Sequence, residues 1–190
     1  MKKCLAMLVA TVMLVAFSGV ARATVLTFDD LSTTSGTPLP SGYGGFTWST
    51  DFYYITGSTM AGTGYAIGAV SLPNAAFNGF YQNVSLSSAT PFTFNGAYFT
   101  AAWDSTLNVG IKGYLGTTLL YSATVVATNT APVYANFNWS GINELAFTSN
   151  GGSQFVMDNF TYNAVPLPGA LLLFGPGLVG LAAIRRRFKK

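Results

Sequence analysis

"TLNVGIKGYLGTTLLYSATVVA", residues 106–127, places Leu107, Val109, Ile111 and Leu115 on one side of an extended chain and Asn108, Lys112 and Tyr114 on the other. Successive side chains of a strand point to opposite faces, so this period of two predicts a half-buried β-strand. The residues "LGTT" (115–118) make a turn, and the whole segment reads as a hairpin. Outward from it the same texture continues. "TVLTFDDL" (24–31) is a first strand, and "FTWSTDFYYI" (46–55), "FTFNGAYFTAAW" (92–103), "PVYANFNW" (132–139), "INELAFTS" (142–149) and "QFVMDNFTY" (154–162) are further strands. "TSGTPLPSGYGG" (34–45) is a loop whose turns are set by glycine and proline. The Gly-rich stretch 56–80 shows no clear element. Short strands, frequent turns and no helical stretch predict an all-β domain, an antiparallel β-sandwich with jelly-roll-like topology and its first and last strands as neighbours.

The two ends of the chain have a different character. "MKKCLAMLVATVMLVAFSGVARA" (1–23) runs from Lys2 and Lys3 through an apolar core to Ala21-Arg22-Ala23. That order is a secretory signal peptide, cut by signal peptidase after Ala23. Cys4 lies too early to be a lipoprotein cysteine and leaves with it. At the other end, residues 169–184 are uncharged, and five cations follow between Arg185 and Lys190. As a helix these residues span roughly 24 Å, a little short of the hydrocarbon core of a bilayer. Gly175, Pro176 and Gly177 interrupt that helix. A basic cluster stays on the cytoplasmic side, so the bulk of the chain lies outside. A retained C-terminal transmembrane anchor and a sorting signal are the two readings of this segment.

Removing both ends changes the charge. The whole chain carries +3, yet only Lys112 among its nine Lys and Arg lies in residues 24–164, together with all six acids. The central domain therefore has a net charge of −5 and no basic surface for phosphates, which excludes nucleic-acid binding. It spans 141 residues, enough for one domain with a core. It has no cysteine, so no disulfide holds it, and the chain has no histidine. Thiol, Ser-His-Asp and His-metal chemistry are absent with them. Paired carboxylates are the remaining catalytic option. Asp104 and Glu144 are as eligible as any other pair, so the signal is unspecific.

Two kinds of binding residue stand out. Asp29 and Asp30 end the first strand and Asp158 sits in the last; if those strands pair, their carboxylates converge where a structural calcium would find oxygen ligands. The alternative is that Asp29 caps a turn and Asp158 holds loop amides. Among Trp48, Phe52, Tyr53, Tyr54, Tyr81, Trp103 and Trp139, some can form a platform that stacks on sugar rings. In "DFYYI", Phe52 and Tyr54 share one face and Tyr53 and Ile55 the other, which leaves one face open to water. Tyr53 and Trp103 are the chosen candidates. The sequons at Asn83, Asn138 and Asn159 are read as chance.

The tail "VPLPGALLLFGPGLVGLAAIRRRFKK" (165–190) resembles the PEP-CTERM sorting signal of Gram-negative bacteria. Val165, Pro166, Leu167 and Pro168 form its proline motif, with Leu167 where the family commonly has Glu, and Arg185, Arg186 and Arg187 its basic end. The resemblance implies an exosortase partner, an inner-membrane intermediate, cleavage near the prolines, and release to the cell surface or extracellular matrix. "LTFDDL", "GYGGFTW" and "FVMDNFTY" resemble the globular part of many secreted PEP-CTERM proteins and, more loosely, jelly-roll carbohydrate-binding modules, some of which keep a structural calcium at a comparable place. The expectation is an exported, non-enzymatic surface or matrix protein without a cofactor, apart from that calcium. The alternatives are a carbohydrate-binding module with an extracellular polysaccharide as partner, and a small glycoside hydrolase.

Overall fold

The structure, a computed structural model, describes residues 22–149 and 152–164. Ala21 of the signal peptide, Val165, Pro166, Leu167 and Pro168, the span 169–184, and Arg185, Arg186 and Arg187 lie outside the described residues. Ala23 lies within them, exposed ahead of the first strand. Among the described residues no helix is long and apolar enough to cross a membrane.

The elements are β1 (Thr24–Leu26), β2 (Thr37–Pro38), β3 (Thr47–Trp48), β4 (Phe52–Thr56), the short helix α1 (Gly64–Gly68), β5 (Asn74–Asn78), β6 (Val84–Ala101), β7 (Leu107–Leu115), β8 (Thr118–Ala127), β9 (Val133–Ser149) and β10 (Phe155–Ala164). Every pairing is antiparallel. The order is β2-β4-β5-β10-β6-β9-β7-β8, with β1 also on β10 and β3 also on β6. The first and last strands are neighbours, as the sequence predicts, with Thr24 opposite Tyr162.

The layers are one hydrogen-bonded network, because β6 and β9 belong to both. The N-terminal half of β6, around Leu86, pairs with β3 and with Leu145 of β9; its C-terminal half, around Phe99, pairs with β10 and with Val133 of β9. Between them the register shifts after Ser87, Phe92 and Phe94. Pro91 falls in the first gap, where its missing N–H costs no ladder bond, and Gly141 on the facing strand takes φ +74°. The ribbon bends there. This front layer is β2, β4, β5, β10, β1 and the Phe99–Val133 end of the β6/β9 ribbon; the back layer is β3, β7, β8 and the Leu86–Leu145 end of that ribbon. The sequence predicts two strands at 132–139 and 142–149, and the bend joins them into one. It also predicts one strand over 46–55, but the amide of Phe52 donates to Ser49 O (2.9 Å) in a turn that divides it.

Aromatic side chains fill the space between layers. Phe28, Phe52, Phe92, Phe94, Phe99, Phe147, Phe155 and Phe160 are fully buried. Phe52 of the front layer meets Phe147 of the back layer with ring centroids 5.9 Å apart and planes at 82°, the edge-to-face contact that aromatic quadrupoles favour. In the hairpin, Leu107, Val109 and Ile111 are buried and Asn108 and Lys112 exposed, matching the period of two. Leu115 departs from it and is 45% exposed, because it sits at the hairpin tip beside Gly116. In β4, Phe52, Tyr54 and Ile55 are buried and only Tyr53 is half-buried, so the face read as wet is mostly covered. The cover is α1 and its flanking turns, from the stretch that shows no element in sequence: Ile55, Tyr65, Ala69, Ala75, Phe77, Ala102 and Val156 form a second apolar cluster there. Close approach of α1 requires glycine, since a Cβ on Gly64 would strike the backbone carbonyl of Ala101.

Candidate functional site

Where β5 ends, the chain makes a turn that the rest of the fold holds in place. Asn78 is fully buried, and its side chain acts as a surrogate backbone. Its Nδ2 donates to Gln82 O (3.0 Å) and Ser153 O (3.2 Å), and its Oδ1 accepts from the Phe155 amide (2.7 Å). The Gly79 amide donates to Asp51 O (2.8 Å), and an added Cβ on Gly79 would stand 2.6 Å from Tyr53 Cδ2. Between these fixed points Phe80 and Tyr81 take left-handed backbone angles, φ 51° and 61°. Bulky residues rarely occupy this region, at a cost of about 1–3 kcal/mol each. The outcome is that Phe80 and Tyr81 are turned to solvent, 65% and 53% exposed.

Behind them runs a row of rings. Phe80 meets Tyr53 edge-on (5.5 Å, 90°), Tyr53 meets Phe77 (5.8 Å), Phe77 meets Tyr65 (5.2 Å, 86°), and Tyr65 meets Trp103 (5.5 Å, 77°). Gln154 ties the row together. Its Oε1 accepts from Tyr65 Oη (2.7 Å) and Trp103 Nε1 (3.0 Å), and its Nε2 donates to Asn78 O (3.1 Å). Burial pushes the Tyr65 hydroxyl pKa up, the neighbouring Tyr81 adds to it, and the hydrogen-bonding link to Trp103 opposes it. The hydroxyl therefore stays protonated and keeps donating. A cleft of about 300 Å³ opens at Ser35, Tyr53, Phe77, Phe80, Tyr81 and Gln154, with no carboxylate and no basic side chain in its lining.

The structure sorts the aromatic candidates. Trp48, Phe52, Tyr54 and Trp139 are core residues, while Tyr53 lines the cleft and Trp103, 45% exposed, stands at the far end of the same row. Tyr53 and Trp103 thus belong to one row of rings, joined through Phe77 and Tyr65, but only Tyr53 lines the cleft. Phe77, Phe80, Tyr65 and Gln154 are the members that sequence reading misses. Asp104 is exposed in the β6–β7 turn and Glu144 lies on β9 in the back layer, and neither lines the cleft.

The sequence predicts that Asp29 and Asp30 end the first strand, but β1 stops at Leu26 and both lie in the turn that follows, while Asp158 is on β10; each of the three acids has a protein partner. Asp29 Oδ1 accepts from the Asn74 amide (2.9 Å), and Asp30 Oδ1 accepts from Tyr43 Oη (2.7 Å). Asp158, fully buried, accepts from the Ser71 amide (2.8 Å), the Ser71 hydroxyl (3.1 Å) and the Asn159 amide (2.6 Å). Asp29 and Asp158 therefore hold the two ends of the segment 71–74. Among the described residues no group of three or more His, Cys, Asp or Glu is arranged to hold a metal ion.

Burial is the largest influence on Asp158 and raises its pKa from 3.8 to about 7; the amide and hydroxyl donors pull it down, and Asp29 adds to the rise. The unfolded chain loses this proton near 3.8 and the folded chain near about 7, so between them the folded state holds the extra proton. Stability from this group is therefore highest on the acid side and falls as pH rises toward 7, by about 1.4 kcal/mol per pH unit at most. Urea midpoints of wild type and D158N at pH 5 and pH 8 test this. The wild type is expected to lose stability relative to D158N at pH 8, and parallel profiles would refute the assignment.

No family model and no curated protein sequence matches the chain. Among solved structures, the chain is similar to a family 61 carbohydrate-binding module in complex with β-1,4-galactotriose, at 12% identity and TM-score 0.39 over 66% of this chain and 95% of that one. It is also similar to the CBM22-1 xylan-binding domain of Paenibacillus barcinonensis Xyn10C, at 14% identity and TM-score 0.43 over 77% of this chain and 97% of that one.

Proposed function

We propose that this chain is an exported, non-enzymatic domain of jelly-roll-like form that binds an extracellular polysaccharide in the Tyr53–Phe80–Tyr81 cleft, with Trp103 at the far end of the ring row behind it. The signal-peptide pattern and the PEP-CTERM-like tail support display at the cell surface or in the matrix, with signal peptidase and an exosortase as processing partners. The observation that carries the binding reading is the pair Phe80 and Tyr81, held left-handed and exposed at the mouth of an aromatic cleft. Unfavourable backbone angles persist only where the surroundings enforce them, and such sites cluster where ligands bind. Aromatic rings offer a large rigid contact area with little loss of side-chain freedom, which suits the apolar faces of sugars. Without a carboxylate in the cleft, the two-acid chemistry of a glycosidase has no place there.

Affinity electrophoresis through gels containing soluble polysaccharides tests this reading. The wild-type domain is expected to be retarded by at least one neutral polymer. Y81A and Y53A are each expected to weaken binding about 10- to 100-fold, the loss typical of a central aromatic anchor. A wild-type domain that no polymer retards, or full retardation of both variants, would overturn the proposal.

A further inference from the structure

The outer surface of the front layer carries a second constellation, away from the cleft. Phe94, Phe137, Trp139 and Tyr162 all pack toward the core. Alternation along the strands therefore turns Asn95 of β6, Asn136 and Asn138 of β9, and Asn163 of β10 to the other side. Tyr98 and Tyr134, opposite each other on β6 and β9, share that side with ring centroids 5.0 Å apart. Tyr134 is 47% exposed. Its ring lies across Gly96, where an added Cβ would stand 2.8 Å from Tyr134 Oη. The Ala135 backbone carbonyl would be nearer still, so the close approach of β9 as well as the tyrosine ring requires a glycine here.

The amides are oriented in relay. Asn95 Nδ2 donates to Asn138 Oδ1 (3.2 Å), and Asn138 Nδ2 donates to Asn136 Oδ1 (2.9 Å). Asn138 holds φ 51° in the middle of this relay. The direction leaves Asn95 Oδ1 as an acceptor without a donor, and Asn163 Oδ1 on the neighbouring strand is in the same condition; both are shielded from solvent. Buried polar atoms are nearly always paired, and each unpaired one costs about 1–3 kcal/mol. A ligand cannot reach those shielded oxygens; what it meets are the exposed amides of Asn136 and Asn138 beside the exposed Tyr134 ring, groups that suit a sugar's hydroxyls and its apolar face. Asp158 stands opposite Tyr98 on the ladder, but its oxygens are occupied by Ser71 and Asn159. The face itself consists of neutral amides and phenols, so it suits an uncharged glycan better than a polyuronate.

We infer that the Tyr98–Tyr134–asparagine face is a second binding surface for a neutral polysaccharide, separate from the cleft. The face stands on its own residues; the consequence that the domain holds two glycan chains at once rests also on the cleft reading. Calorimetry on the full domain, with hexasaccharides of a β-1,4-glucan, a β-1,4-galactan and a β-1,4-xylan, counts the sites. The expected result is two molar equivalents for wild type and one for Y134A, with affinity at the remaining site unchanged. N136A, at an exposed position, is a second variant of the face, expected to weaken that site about tenfold. Y81A is likewise expected to leave one equivalent. Either single-site variant is expected to abolish the precipitation of the matching soluble polysaccharide that two sites produce. A wild-type stoichiometry of one, unchanged in Y134A and N136A, overturns the second surface. Binding lost in Y134A but untouched in Y81A and Y53A upholds the face and overturns the cleft.

Discussion

Phe94→Ala lowers the unfolding free energy by about 3–5 kcal/mol, in the upper range for deletion of a buried aromatic ring. Phe94 has no solvent exposure and stacks against Phe160 (4.9 Å, 16°) and Phe137 (5.0 Å, 22°), with the edge of Trp139 at 6.4 Å. It also lies in the irregular stretch of the β6/β9 ribbon, between two register shifts. Neighbours on two flanking strands, β9 and β10, cannot close the gap together without moving the bend, so little of the lost volume is recovered. A domain of this size has about 5–15 kcal/mol in total, and the variant sits near the limit of folding. Equilibrium urea denaturation checks the value, with the buried Trp48 and Trp139 as fluorescent reporters. A loss below about 1.5 kcal/mol would mean that the bend collapses around the missing ring.

Asn78→Ala is expected to cost about 3–5 kcal/mol as well, for a different reason: it strips partners from a buried polar network. Two carbonyl oxygens, of Gln82 and Ser153, and one amide, of Phe155, lose their partner together. Asn78→Asp should be worse still at neutral pH. Its carboxylate would retain the Phe155 amide but face the two carbonyl oxygens with no proton to give. The turn that holds Phe80 and Tyr81 depends on this side chain, so the proposed glycan binding is expected to fall with stability. Thermal unfolding of N78A, N78D and wild type, followed by binding at a temperature where all three are folded, separates the two effects. Equal melting temperatures for the three would show that the turn is held by other means.

Much of this architecture is legible in the sequence. The 107–127 hairpin is readable because its back-layer strand has one face in the core and one in water, so chemistry alternates with position. The adjacency of β1 and β10 follows from the sandwich expectation and is seen in the pairing of Leu26 with Phe160. The bend is not readable. Pro91 and Gly141 look like ordinary turn residues, and only pairing across the ribbon turns them into a hinge between layers. The stretch 56–80 fails for another reason: all five residues of β5 are buried, which erases alternation.

The candidate site divides in the same way. Tyr53 and Trp103 can be picked out as aromatic residues beside turn-rich sequence. Their junction cannot, because Gln154 and Tyr65 meet across 89 positions of chain. Asn78 followed by Gly79 reads as a turn signal, whereas the fold uses the asparagine as a buried brace. Asp29 and Asp158 are identifiable as acids near the paired first and last strands, Asp29 in the turn after β1, but their partners, the amides of Asn74 and Ser71, lie in the segment that gives no signal.

The antiparallel seam around β10 also sets how the domain bears load. β5 and β10 pair through Phe77 and Val156, and β10 pairs with β6 from Phe155 to Ala164. A pull applied at Tyr81 and resisted at Ala164 draws β5 and β10 along their own axes in opposite directions. The cross-strand hydrogen bonds lie perpendicular to that pull and are strained together, in shear. A pull applied between Thr24 and Ala164 acts differently, since Thr24 sits beside Tyr162 at the same end of the seam. There the bonds open in succession, like a zip. Tension from the cleft therefore loads the β5/β10 seam in shear, whereas tension between Thr24 and Ala164 loads the β1/β10 seam one bond at a time.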